Sequence, residues 1–236
     1  TIEPGVEMYF NQHIGMDVYG QITAEGTAND SIIFTASDTA LGWYGIRISK
    51  TSLDEEEQSF SYCRFSRHFL IAQEIEDNHG VLALDSVNKL SIINCLFTQN
   101  KSARGSGIQS NFSSVKMNSC IFRGNFALDT NRLESNKISG VLGSAASFGG
   151  QSNLVMKSCI IEHNESYRPY FDPTANNKNG AGHTFLFSGG MYDISNCIFR
   201  HNKTLNRSIV FSSGSWQNTD SMIMSNCTFY QKQIQD

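Results

Sequence analysis

The chain has 236 residues, a formal charge of −4 and 17% charged residues, below the usual quarter. That balance excludes a general electrostatic affinity for nucleic acid or anionic membrane, and no apolar run approaches the roughly 18 residues of a membrane-spanning helix. Thr1 opens directly on strand-like text without a signal-peptide pattern, which reads as a processed form or a piece of a longer chain. In chain order, residues 1–50 read as short strands separated by turns. Ile2 to Phe10 gives a turn and an alternation, Gly15 to Ile22 alternates again, and Ser31 to Thr35 and Trp43 to Ile48 are apolar strands. Residues 52–58 are acidic and read as a solvated loop.

From Phe60 onward one pattern repeats. Asn94-Cys95-Leu96-Phe97-Thr98-Gln99-Asn100 returns around Cys120, Cys159 and Cys197, with degraded copies at Cys63 and Cys227. All six cysteines share this phase, at intervals of 32, 25, 39, 38 and 30 residues. Three residues before the last five cysteines stand Ile92, Met117, Met156, Ile194 and Met224. Two residues after them stand Phe97, Phe122, Ile161, Phe199 and Phe229. An offset of three followed by one of two cannot lie on one strand face, so the chain must bend just before each cysteine. Asn94, Ser119, Ser158, Asn196 and Asn226 occupy that bend, and Asn and Ser tolerate the unusual backbone angles it needs. A second corner is expected at Asn100, Asn125, Asn164 and Asn202. A third strand then closes each coil, at Gly107-Ile108, Gly140 to Leu142, Phe185 to Phe187 and Ser208 to Phe211.

The expected fold is therefore all-β: a right-handed parallel β-helix, a three-sided solenoid forming one module over 1–236, with cysteine-phased coils over 60–236. Cys63, Cys95, Cys120, Cys159, Cys197 and Cys227 are expected as buried free thiols in a core ladder beside Phe97, Phe122 and Phe199. In-register parallel rungs suit disulfide geometry poorly, and no CxxC or Cys/His cluster suggests zinc. Neither end carries a capping pattern, so further coils or partner subunits are expected there.

The repeat is similar to those of right-handed parallel β-helix proteins, the pectate-lyase-like superfold. Phe97 to Asn100, Phe122 to Asn125 and Phe199 to Asn202 resemble the FxxN element of polymorphic outer-membrane-protein passengers. Gly105-Ser106-Gly107-Ile108 and Ser139-Gly140-Val141 only approximate that family's companion GGA[IL] element. The resemblance implies an extracellular or cell-surface location and a structural or adhesive role, with carbohydrate or other protein subunits as partners. It also admits a polysaccharide lyase or glycoside hydrolase, because the fold hosts both.

Two long segments follow successive asparagine corners and are the candidate binding loops. Residues 126–138 include Asp129, Arg132, Glu134 and Lys137, and residues 165–183 include Tyr167, Arg168, Tyr170, Asp172 and His183. Aromatics beside both signs of charge suit ring stacking and polar contacts to a glycan, so Arg132, Tyr167, Arg168, Tyr170 and His183 are the binding candidates. Solenoid loops also vary freely and merely shield the core. Asp129, Glu134 and Asp172 are the catalytic candidates, since hydrolysis wants two carboxyls about 5–9 Å apart and a lyase wants carboxylates on Ca²⁺ with a basic side chain. No cofactor is expected outside that lyase reading, where Ca²⁺ would enter. His163 and His201 share a coil position and read as solvated. Asn29, Asn111 and Asn206 are loop sequons open to glycosylation, whereas Asn100, Asn164 and Asn202 are expected to turn into a corner ladder.

Overall fold

The computed structural model describes residues 1–49, 57–70, 79–102, 105–128, 143–167, 183–204, 210–212 and 220–230. Among them β-strands of two to five residues are the only regular elements. Every strand pairs with the equivalent strand one winding earlier or later, in parallel. Four sheets result, and the chain visits them in a fixed order. An eight-stranded sheet holds the Cys-x-Phe strands, for example Leu96–Thr98, Ile121–Arg123, Ile160–Glu162 and Ile198–Arg200. It is called here the phenylalanine sheet. A seven-stranded sheet, called the groove sheet, runs from Gly15–Val18 through Gly45–Ser49, Leu82–Asp85 and Ile108–Asn111 to Val210–Ser212. Another seven-stranded sheet carries the Ile and Met positions, as in Leu90–Ile93 and Asn153–Lys157, before the chain re-enters the phenylalanine sheet.

The fourth sheet departs from the expected three strands per coil. Phe69–Leu70, Lys101–Ser102, Phe126–Leu128, Glu165–Tyr167 and Lys203–Thr204 form a short sheet directly after the second corner. Strands of two or three residues leave no alternation to read. The first two windings lack this strand, and an isolated bridge between Trp43 and His68 marks where the sheet begins. The groove-sheet strand expected at Gly140 to Leu142 is Ala146–Gly149, and residues 140–142 themselves lie outside the described residues.

The corners are single residues in the left-handed region. Before each cysteine, Tyr62, Asn94, Ser119, Ser158, Asn196 and Asn226 have φ between 48° and 54°. At the second corner the positive φ falls one residue before the asparagine, on Gln99, Gly124, His163 and His201. The asparagine that follows is free to turn its amide inward.

Between the sheets lie columns of stacked side chains. Phe34, Phe65, Phe97 and Phe122 stack with centroids 5.1, 5.0 and 4.6 Å apart and nearly parallel rings. Ile161 interrupts the column, and it resumes with Phe199 on Phe229 at 4.8 Å. Phe185 of the groove sheet sets its edge against Phe122 and Phe199, so a ring from another face occupies the gap. Burying such side chains stabilises by about 1.5–3 kcal/mol each. No helix among the described residues is long and apolar enough to cross a membrane.

Candidate functional site

The cysteines line one edge of the core. Cys63, Cys95, Cys120, Cys159 and Cys197 are buried and Cys227 is half-buried, all as free thiols. Each thiol donates to backbone carbonyls, as Cys120 does to Ile92 and Asn118, and the Cys63, Cys120 and Cys159 amides point at the next sulfur at 3.4 Å. Burial pushes the Cys95 thiol up. Hydrogen bonding to Cys120 and to Cys159 raises Cys159 and Cys197 respectively. Protonated thiols of this kind are poor nucleophiles.

Asn100, Asn125, Asn164 and Asn202 are buried at the second corner. Nδ2 of each of the first three donates to Oδ1 of the next, at 3.0, 2.9 and 2.9 Å. The same Oδ1 atoms accept the preceding asparagine's backbone amide, and each Nδ2 also reaches a carbonyl one winding back. With every amide group engaged, the sequon asparagines Asn100, Asn164 and Asn202 present no free side chain to a glycan. Asn29 is exposed, Asn111 is half-buried on the groove sheet, and Asn206 lies outside the described residues.

The loop candidates fare differently. Asp129, Arg132, Glu134, Arg168, Tyr170 and Asp172 lie outside the described residues, and Tyr167 is placed only through its backbone, opposite Leu128. His183 is described and is 4% exposed, under the surface rather than on an open loop. Its carbonyl accepts the Ser166 hydroxyl and the Ser144 amide, both at 2.7 Å. His163 and His201 stack at 5.1 Å, with Tyr230 edge-on to His201. Beside them Glu162 is 4% exposed at its side chain and lies between Arg123 and Arg200, each Nε 2.6 Å from a different carboxylate oxygen. Burial pushes the Glu162 carboxyl up, but the two guanidiniums outweigh it and hold it below the usual range. A carboxylate so fully engaged is a tie between windings, not an available base.

Two adjoining cavities lie on the outer side of the groove sheet. One of about 330 Å³ is lined by Arg47, His79, Asp85, Gln109 and Asn111, among others. The next, about 190 Å³, shares Arg47 and His79 and adds His13, Asp17 and Tyr44. Parallel register sets the row: Asp17 lies opposite Arg47, Arg47 opposite Ala83, and Ala83 opposite Gln109. Outward side chains on neighbouring strands are about 4.8 Å apart, and those two apart on a strand about 6.6 Å. Arg47 and Asp17 approach to 4.0 Å, and the Gln109 Oε1 is buried without a partner. Tyr44 hydrogen-bonds and packs edge-on to His13, making a polar-tipped aromatic wall. At that end Gly15 pairs with Gly45, where neighbouring backbones leave no room for a side chain. A Cβ on Gly45, whose φ is +84°, would stand 2.6 Å from the Val81 carbonyl oxygen.

A separate cavity of about 430 Å³ opens over the start of the short sheet, between Thr39, Arg67, Phe69, Gln99 and Lys101. His68 lies beneath it, fully buried, with Nε2 2.9 Å from the His79 carbonyl oxygen. Burial, and then the charge of His79, lower the His68 pKa to about 3, so the ring is neutral at physiological pH. Among the described residues no three His, Cys, Asp or Glu side chains converge as a metal-binding group. None of these three cavities is legible in the sequence. Their residues come from different windings, and only the register brings them together. Comparison of the chain with protein-family models, curated proteins and solved structures gives no match.

Proposed function

We propose that the chain is a right-handed parallel β-helix with three long faces, the short sheet bevelling the asparagine corner. In this reading it works as an extracellular structural or adhesive module that holds an extended carbohydrate in the groove-sheet channel. The observation that carries the reading is a row of polar side chains on three of four neighbouring strands, Asp17, Arg47 and Gln109, with Ala83 between the last two and Asp85 and Asn111 alongside. Sugar hydroxyls need mixed donors and acceptors at short repeat distances, and an aromatic wall such as Tyr44 offers a stacking face. The unpartnered Gln109 Oε1 is an acceptor that a hydroxyl would satisfy. The backbone beneath belongs to a continuous sheet, so binding orders few groups.

A glycan array with the intact chain, followed by calorimetry on any hit, tests this. Arg47→Ala and Gln109→Ala are each expected to weaken binding by about tenfold, the usual cost of a hydrogen bond to a charged or buried group. An array without hits, or variants that bind like the parent, would overturn the proposal. Assaying the same glycans for cleavage, with Asp129, Glu134 and Asp172 replaced by Ala in parallel, separates a holding module from a lyase or hydrolase.

A further inference from the structure

We infer a second, independent site: an oxyanion-binding pocket at Arg67 and Lys101, suited to a sulfate or phosphate group. The 430 Å³ cavity over the short sheet is lined by both of these cations and by no carboxylate. Neither side chain has a carboxylate within salt-bridge distance among the described residues. Glu74, Glu76 and Asp77 lie outside the described residues, and Asp38, beside Thr39 and Ala40 of the cavity wall, turns its Oδ1 back onto the amides of Ala40 and Leu41. Two windings along, Glu165 is taken by Lys203 at 3.0 Å. On a chain of net charge −4 this is, among the described residues, a local concentration of positive charge without its counter-charge.

The cations are also held in place. Lys101 stands between its two strand neighbours, with its ammonium 4.8 Å from the centroid of Phe69 and 5.6 Å from that of Phe126. Ring faces attract an ammonium without consuming its hydrogen-bond donors, so Lys101 is oriented and still able to bind. The Lys101 amide is fixed to the His68 carbonyl at 2.8 Å, and the His68 amide to Asn100 Oδ1 at 3.1 Å. Arg67 occupies a left-handed corner residue, φ 60°, directly before His68. The asparagine ladder thereby sets the spacing of both cations before a ligand arrives, which is what a fixed anion site requires. A guanidinium and an ammonium together suit a group with three terminal oxygens, one side bidentate and the other a point contact.

The test is calorimetric titration of the intact chain with inorganic sulfate, inorganic phosphate, dextran sulfate and uncharged dextran. Sulfate, phosphate or dextran sulfate is expected to bind, more weakly as sodium chloride rises, with no heat from dextran. Arg67→Asn keeps a residue that tolerates the left-handed backbone, and Lys101→Met keeps an aliphatic chain between the rings. Each is expected to lose about tenfold in affinity, while Lys203→Met, outside the pocket, binds as the parent does. Binding of the free ions alone identifies a small-anion site, and binding of dextran sulfate identifies a polymer-borne ester. Silence with all three anions at millimolar concentration, or Arg67 and Lys101 variants that bind like the parent, would overturn the inference. Because the groove-sheet channel contains neither residue, its failure would not move this result.

Discussion

At the scale of single residues, two buried polar groups govern stability in ways that can be separated. Asn125 accepts from the Asn100 amide and side chain, and donates to the Phe97 carbonyl and to Asn164. Asn125→Ala takes the side-chain partner from the buried Asn100 amide and Phe97 carbonyl, at about 1–3 kcal/mol each, while Asn100 Nδ2 keeps the Phe65 carbonyl and Asn164 Oδ1 keeps the Asn125 amide. A fall of at least about 2 kcal/mol in unfolding free energy is therefore expected from urea denaturation, and a change below about 1 kcal/mol would contradict the ladder. His68 acts through pH. Its folded pKa of about 3 lies below the ordinary 6.5, so the unfolded chain takes up a proton that the folded chain refuses. The stability it contributes is complete above pH 6.5 and falls as pH drops towards 3, by up to about 1.4 kcal/mol per pH unit. Glu162, held below its usual range, adds a loss of the same sign near and below the carboxylate range. The histidine contribution is thus cleanest between pH 6 and 5. His68→Gln is expected to be less stable at pH 7 yet to lose most of the slope in that window, as denaturant midpoints at each pH would show.

At the scale of elements, the phenylalanine sheet separates what repeats from what only looks like a lapse. Ile161 stands where Phe97, Phe122 and Phe199 stand in other windings, and restoring the repeat by Ile161→Phe looks stabilising on sequence grounds. Phe185 already sets its edge against Phe122 and Phe199 across that gap. A second ring would overpack the core, so Ile161→Phe is expected to cost about 1–3 kcal/mol. Pairing it with Phe185→Leu is expected to recover most of that cost, since contacting residues are not additive. A midpoint that rises with Ile161→Phe alone would show that the gap is open. The example also shows what the sequence could carry. The left-handed bends before each cysteine were legible, because the offsets at Met117, Cys120 and Phe122 admit no flat strand and Ser119 tolerates the angle. The short sheet was not, because Lys101–Ser102 has no period to detect. Arg47 and Gln109, or Arg67 and Lys101, stand more than thirty residues apart and meet only through strand register. The loop candidates of residues 126–138 and 165–183 fall mostly outside the described residues, and they rest on insert length, a signal that register-built cavities do not leave in the sequence.

At the scale of the whole molecule, each winding pairs only with its two neighbours, so stability is a sum of local terms and terminal windings open first. The thiol column reports on this directly, because one cysteine stands in each of six successive windings. Cys227 belongs to the last described winding, where Phe229 and Tyr230 are 50% and 54% exposed. The other five thiols are buried. Burial raises even the Cys227 thiol, but a half-exposed sulfur still reaches reagent, whereas Cys159 and Cys197 are raised further by their hydrogen bonds to neighbouring cysteines. A chromogenic thiol reagent at pH 8 is therefore expected to modify Cys227 first. Cys197 should follow as the neighbouring winding opens, and Cys95 and Cys120 only when their own windings unfold. Cys227→Ser removes the fast phase and leaves the slow one, which mass mapping of the labelled peptides would confirm. Equal rates for all six sulfurs in native buffer would mean that the windings open together and that the column does not divide the molecule into local units.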